Sequence, residues 1–381
     1  MRTMDFTQIK RPSFVLDEQL LENNLALIKD VQDQSGVHII LALKGFAMWS
    51  VFPKVYQYLS GATASSLYEA RLIFEEMGCK AHTYCVAYME DEFDEICKYS
   101  SHMTFNSIHQ FNKFYSRLKK NDPNISAGIR VNPEYSEVET LLYNPAAPGS
   151  RLGEVVDNFN GVLPEGVEGL HFHTLCESSS FDLEKTLAVF EAKFSPFFEK
   201  LKWVNFGGGH LMTRKGYDTN HLIGLLKAFK KRYPHLEVIL EPGSAIAWDT
   251  GPLVAHVLDI HESRGVKTLI LDVSFTAHMP DTLEMPYRPR IRGASDPVEG
   301  KPTYRLGGTS CLAGDFMMEY SFEKEMEPGD QIILEDMMHY TMVKTSMFNG
   351  VHHPDICIWT KENKLQLVRK FDYDDYKRRL S

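Results

Sequence analysis

The stretch Val37-His38-Ile39-Ile40-Leu41-Ala42-Leu43 is apolar but for His38, and Lys44, Gly45 and Phe46 follow it. An apolar run of this length closed by a glycine predicts a strand buried on both faces. Similar short runs recur around residues 61–65, 82–88, 101–105, 126–132, 167–174, 203–206 and 236–241. Between most of them apolar residues return at helical spacing, as in 67–76, 108–118, 183–201 and 221–232. Eight strand–helix units over about 200 residues have the count and length of a (β/α)8 barrel. The second strand is weakly marked, and 133–160 has no regular pattern.

Beyond Glu241 the texture changes. Residues 252–260, 267–273, 303–306, 331–335, 340–343 and 355–370 read as strands separated by Gly, Pro and Asp turns, with little helical spacing between. The expected organisation is a barrel over 16–247 followed by a mainly β domain over 248–381. The N-terminal segment up to Val15 is too short for a domain and is expected to pair with that sheet.

A chain of 381 residues has room for both domains. It carries 51 acidic against 41 basic residues, a net charge of −10, which argues against nucleic acid and suits either solubility or a cationic substrate. The six cysteines (Cys79, Cys85, Cys97, Cys176, Cys311, Cys357) form no CxxC pair and no metal-ligand spacing, so they read as reduced thiols in a cytosol, with no metal site. No apolar run is long enough to span a bilayer, and Met1-Arg2-Thr3-Met4-Asp5-Phe6 lacks the apolar core of a signal peptide.

Chemistry in this barrel type sits at the C-terminal ends of the strands, and four polar features fall there. Lys44 ends the first strand; an amine held partly out of water favours its neutral, nucleophilic form, the form that makes a Schiff base with an aldehyde. The plainer reading is a lysine whose stem packs while its head reaches solvent. His171-Phe172-His173 ends the sixth strand with both imidazoles on one face, where a lone histidine is ordinarily a core residue. Gly207-Gly208-Gly209 follows the seventh strand, where three residues without Cβ let backbone N–H groups converge on an anion. Glu241, before Pro242-Gly243, puts a carboxylate at the end of the eighth, as either a functional group or a structural ion-pair partner. An amine, an imidazole, an anion nest and a carboxylate at one barrel mouth suit pyridoxal phosphate: Schiff base, ring stacking, phosphate and pyridinium nitrogen respectively.

These motifs resemble the fold-type III (alanine-racemase-like) pyridoxal-phosphate decarboxylases, the group with ornithine and diaminopimelate decarboxylases, over nearly the whole chain. Ala42-Leu43-Lys44 resembles the lysine motif, Phe172-His173 the stacking histidine, Gly207-Gly208-Gly209 the phosphate loop and Glu241-Pro242-Gly243 the pyridinium partner. Gly307-Gly308-Thr309-Ser310-Cys311 resembles the segment of the catalytic cysteine. His339-Tyr340-Thr341 and Ser346-Met347-Phe348-Asn349-Gly350 resemble the closing motif, whose tyrosine contacts the cofactor phosphate. The resemblance implies Lys44, Cys311, His173 and Glu241 as catalytic residues and Lys44, His173, Gly207, Gly208, Gly209, Glu241 and Tyr340 as the cofactor site. It also implies a homodimer in which Cys311 and Asp315 reach the partner's active site. On its own, Cys311 reads as a small buried hydrophobe.

Departures from the pattern bear on the substrate. Leu312 follows the cysteine where the diaminopimelate and ornithine enzymes have an acid, and Ser244 follows Glu-Pro-Gly where the family usually has an arginine. Glu284, in Leu283-Glu284-Met285-Pro286-Tyr287, stands near the position of a substrate-binding aspartate in ornithine decarboxylases. With His173-Thr174-Leu175-Cys176-Glu177 and Cys311-Leu312-Ala313-Gly314-Asp315, the combination is most similar to the carboxynorspermidine/carboxyspermidine branch. That likeness implies a polyamine substrate, with Glu284 and Asp315 for its amines. Rival readings are a diaminopimelate decarboxylase, an inactive decarboxylase-like regulator and an amino-acid racemase. Leu312 opposes the first, the joint presence of Lys44, Cys311 and Glu241 the second, and Cys311 in its setting the third.

Overall fold

The structure is a computed structural model and describes residues 4–284 and 287–381, so Met285 and Pro286 of the Glu284 segment and Met1, Arg2 and Thr3 of the N-terminal segment lie outside the described residues. Two compact units divide it: Asn24–Ile246, and the residues up to Asn23 together with Ala247–Ser381. The N-terminal division falls inside the helix Glu18–Ser35, where the sequence reading began the barrel at residue 16.

The first unit is built on parallel strands His38–Ile39 with Leu41–Ala42, Ala62–Ala64, Ala81–Cys85, Ser100–Phe105, Ser126–Arg130, Gly169–His171, Trp203–Asn205 and Glu237–Leu240. Each pairs with the next in chain order, and His38–Ile39 pairs with Glu237–Leu240. Ring closure runs through Ile40: its N–H donates to Leu240 O at 2.9 Å, while the N–H of Leu41 donates to Gly61 O on the other side at 3.0 Å. Serine or aspartate caps start several of the intervening helices, as Ser107 does for Ile108–Asn121 and Ser179 with Asp182 for Ser180–Phe194. Ile108–Asn121 buries Phe111, Phe114 and Leu118, the helical spacing of one face turned to the sheet.

Inside the barrel a single indole fills space that several strands ordinarily share. Trp203 is buried, and its Nε1 donates to Ser126 Oγ at 2.8 Å. A Cβ placed on Gly169, on the adjacent strand, or on Gly128, one strand further, would overlap its ring. Toward the N-terminal end of the strands His82 and His102 stack with ring centroids 3.9 Å apart, and His102 meets Trp203 edge-on at 5.5 Å.

Burial lowers the pKa of both imidazoles, His102 to about 4 and His82 well below 6.5, so the folded barrel holds them neutral. An unfolded chain takes up those protons near pH 6.5, so the stability tied to a neutral His102 is complete above that value. It is lost as pH falls toward 4, an effect on the order of 3 kcal/mol. Melting temperature followed by circular dichroism between pH 7 and pH 4.5 should fall less in His102→Phe than in the parent protein. Equal falls would show that the pair does not govern acid sensitivity.

The second unit centres on the long strand Leu253–Ser263, which pairs with Val266–Leu271, Gln331–Leu334 and Ser13–Asp17. Ser13–Asp17 also pairs in parallel with Asp355–Trp359, so the N-terminal segment joins this sheet, where Phe6, Ile9 and Val15 pack with Val254, Cys357 and Trp359. Thr303–Gly307 and Phe316–Phe322 form a further antiparallel pair. Two expectations fail here. Residues 340–343 are no strand: Tyr340 takes φ +44° and precedes the helical turn Thr341–Lys344, closed by a bond from Lys344 N to Tyr340 O at 2.8 Å. The local β preference of Thr-Met-Val gives way to that turn. Conversely, Phe316–Phe322 is a strand the pattern concealed, because Glu319 and Met318 break its alternation.

Candidate active site

The residues at the C-terminal ends of the barrel strands meet around a cavity of about 230 Å³ lined by Lys44, Thr63, Tyr84, Arg130, His171, His173, Gly208 and Glu241 among others. Lys44 follows Leu41–Ala42, and its Nζ lies 3.4 Å from His173 Nε2. The other ring nitrogen settles the tautomer: His173 Nδ1 accepts the N–H of Gly208 at 2.7 Å. A backbone N–H only donates, so Nδ1 bears no hydrogen, and the neutral ring carries it on Nε2, facing Lys44. Across that distance the Nε2–H points toward the Lys44 amine. Lys44 keeps surface exposed toward the cavity, but the atoms crowded around it strip bulk water and lower its pKa, with Arg130 acting in the same direction and Glu241 against; burial holds His173 well below 6.5.

Glu241, 9% exposed, follows Glu237–Leu240. Its Oε1 accepts from Asn205 Nδ2 at 2.7 Å, and Asn205 Oδ1 accepts from Gly207 N at 2.8 Å, so one amide ties the carboxylate to the glycine run. Burial raises the pKa of the carboxyl, and the Asn205 bond opposes that rise. His171 Nε2 is 3.6 Å from Glu241 Oε2, and neither ring nitrogen of His171 has a hydrogen-bond partner among the described residues.

The glycine run approaches backbone too closely for side chains. A Cβ on Gly208 would sit 2.5 Å from Glu241 O, and Gly207 and Gly209 take φ of +68° and +87°. Ser244 opens the short helix Ser244–Ala247 beyond Gly243.

Arg130 escaped the sequence reading, although it ends a buried strand as Lys44 and Glu241 do. It is 4% exposed; Nη2 donates to His173 O at 3.1 Å and the guanidinium lies 4.8 Å over the Tyr84 ring. Its Nε has no partner among the described residues. The guanidinium belongs to a residue that lines the cavity and so brings a positive charge to its wall.

The remaining expected residues lie in the second unit. Cys311 is exposed rather than a buried hydrophobe. Glu284 is exposed and paired with Lys344. Tyr340 stands at the turn described above. Asp315 is turned toward its own loop. It is 5% exposed, with Oδ2 accepting from Ser310 N (3.1 Å) and Ser310 Oγ (2.6 Å) and Oδ1 accepting from Thr276 N (3.1 Å). A carboxylate so engaged shapes the loop that presents Cys311, and Gly308 leaves room for it, since a Cβ there would strike the carboxylate.

The family model described as "Pyridoxal-dependent decarboxylase, C-terminal sheet domain" matches residues 14–338. The chain belongs to the pyridoxal-dependent decarboxylase family. Within it, the chain is 49% identical over 374 residues to a carboxyaminopropylagmatine decarboxylase of Synechocystis sp., covering 98% of this chain and 96% of the relative. It is 44% identical over 384 residues to a carboxynorspermidine/carboxyspermidine decarboxylase of Campylobacter jejuni, covering 98% and 99%. The crystal structure of carboxynorspermidine decarboxylase from Campylobacter jejuni complexed with norspermidine superposes with a TM-score of 0.90, covering 97% of this chain and 100% of that one. A diaminopimelate decarboxylase at 17% identity and TM-score 0.81 shares the fold. The cavity fits this family's pyridoxal phosphate: the Lys44 amine with its lowered pKa, the Glu241 carboxylate, a glycine cradle closed to any Cβ and the Arg130 guanidinium converge there.

Proposed function

We propose that this decarboxylase acts in the cytoplasm as a homodimer on carboxynorspermidine or carboxyspermidine, yielding norspermidine or spermidine in polyamine biosynthesis. The observation that carries the reading is the full-length likeness to the norspermidine-complexed enzyme, on a chain whose cavity holds the groups the chemistry needs. The six cysteines are free thiols, and no helix among the described residues is long and apolar enough to cross a membrane, which is compatible with that compartment.

Bound pyridoxal phosphate supplies an aldehyde for amines and a ring that accepts the electrons released as carbon dioxide leaves. Lys44 would hold the cofactor through its amine, whose lowered pKa favours the nucleophilic form, until the substrate's own amine takes its place. Gly207, Gly208 and Gly209 would receive the phosphate, with Tyr340 as a further contact, and His173 would stack on the ring. Glu241, held by Asn205, keeps a proton on the ring nitrogen. Arg130, which lines the cavity, brings a cation to the anionic groups of cofactor or substrate. Cys311 of one subunit delivers a proton to the carbon that lost its carboxylate in the other subunit's site. Glu284 takes a substrate amine by exchanging it for the ammonium of Lys344. A carboxylate at that end of the pocket disfavours a substrate bearing a second carboxylate.

Carbon dioxide release measured for each candidate substrate tests this. We expect carboxynorspermidine or carboxyspermidine to exceed meso-diaminopimelate in kcat/KM by about a hundredfold or more, as for a site whose polar groups would face the wrong charge. The two triamines differ by one methylene, worth only about 1–3 kcal/mol. A second reading, carboxyaminopropylagmatine, is favoured by the 49% identical relative, and a higher kcat/KM on that compound would move the assignment to it. Preference for diaminopimelate would sink the triamine reading, and inactivity toward all would return the regulator.

A further inference from the structure

Cys311 does not hang free in its loop. Its backbone N–H donates to Asn349 Oδ1 at 2.9 Å, and its Sγ lies 3.0 Å from the same oxygen. The first contact identifies the atom: a backbone N–H needs an acceptor, so the amide group facing Cys311 is the oxygen and not the nitrogen. The thiol must therefore be the donor in the second contact, and its hydrogen points at Asn349. Two bonds to one oxygen fix both the backbone and the sulfur of Cys311 against a residue 38 positions away in sequence.

Asn349 is itself held in an unusual geometry. It takes φ +59° and ψ +14°, a left-handed conformation that asparagine, aspartate and glycine accept more readily than other residues. The other wall of the loop is the Asp315 carboxylate, which fixes Ser310 immediately before the cysteine. The thiol is thus anchored from two sides, by Asp315 through its neighbour and by Asn349 directly.

We propose that Asn349 is a positioning residue for turnover: its amide oxygen orients the Cys311 thiol, which the proposed function makes the proton donor. The inference rests on that reading of Cys311. A proton donor misplaced by a fraction of an ångström loses rate without losing substrate, because orientation enters at the chemical step.

Two substitutions separate the side chain from the backbone. Asn349→Gly keeps the left-handed conformation and removes the acceptor, whereas Asn349→Asp keeps both. In the full-length protein, the S–H stretching band of Cys311 can be isolated as an infrared difference against Cys311→Ala. Hydrogen bonding lowers that frequency, so the band should move up in Asn349→Gly and stay lowered in Asn349→Asp. In parallel, kcat should fall by about ten- to a hundredfold in Asn349→Gly with KM little changed, and recover in large part in Asn349→Asp. An unmoved band in Asn349→Gly overturns the hydrogen bond. A moved band with unchanged kcat overturns the positioning role. Full turnover by Cys311→Ala overturns instead the reading of Cys311 as donor, a result independent of the infrared one.

Discussion

A Lys44→Ala protein should show no detectable decarboxylation, and borohydride should leave no cofactor bound to it, whereas in the parent protein the reduced cofactor should stay on the peptide containing Lys44. The expectation follows from the pairing of Lys44 with the Nε2–H of His173 in a setting that lowers the amine's pKa. A neutral amine is the attacking form, and no other lysine among the described residues lines this cavity. A covalent adduct surviving in Lys44→Ala would reassign the attachment point. The same variant tests the shared site. Mixed with Cys311→Ala subunits, it should form hybrids in which one site carries both defects and the other carries none. Random reassortment makes about half the dimers hybrid, so roughly a quarter of parental activity should return. Verified subunit exchange without recovery would refute sharing between subunits.

Glu241→Gln should lower kcat by about two to three orders of magnitude while leaving the melting temperature at neutral pH unchanged or higher. The two effects have opposite signs for one reason. Burial raises the carboxyl's pKa, which means that the fold holds a charge it does not favour, and glutamine removes that cost. Glutamine can still accept from Asn205. It cannot offer a negative charge to a protonated ring nitrogen, so the loss appears in turnover. A variant that lost stability together with activity would mark Glu241 as a structural ion-pair residue, and near-parental turnover would give its role to another group.

The barrel was legible because buried parallel strands are short apolar runs, and because the polar residue that ends such a run stands out from it. Lys44, His173, the glycines and Glu241 all carried that signal, and all line or adjoin one cavity. Arg130 carried it too, at the end of Ala127-Gly128-Ile129, but its reason lies in what surrounds it: an open Nε on a buried guanidinium has no trace in sequence. Asn205 and Asn349 were hidden for another reason. Each acts through a hydrogen bond to a residue distant in the chain, Glu241 and Cys311 respectively. The setting of Asp315 was hidden too, because a carboxylate near Cys311 reads alike whether it faces a ligand or its own loop. The β unit was less readable throughout, since strand 316–322 lacks alternation and 340–343 has strand-forming residues in a helical turn.

The indole of Trp203 has a consequence for how this barrel can change. Its ring occupies the space above Gly169 and Gly128, so three positions on neighbouring strands share one volume. Shrinking the tryptophan alone would open a void, and adding a methyl group at either glycine alone would force a clash. Substitutions at the three sites should therefore be strongly non-additive, with double replacements tolerated where each single one is not. Along a lineage, such a barrel can exchange its interior only by passing through a weakened intermediate or by changing two strands together.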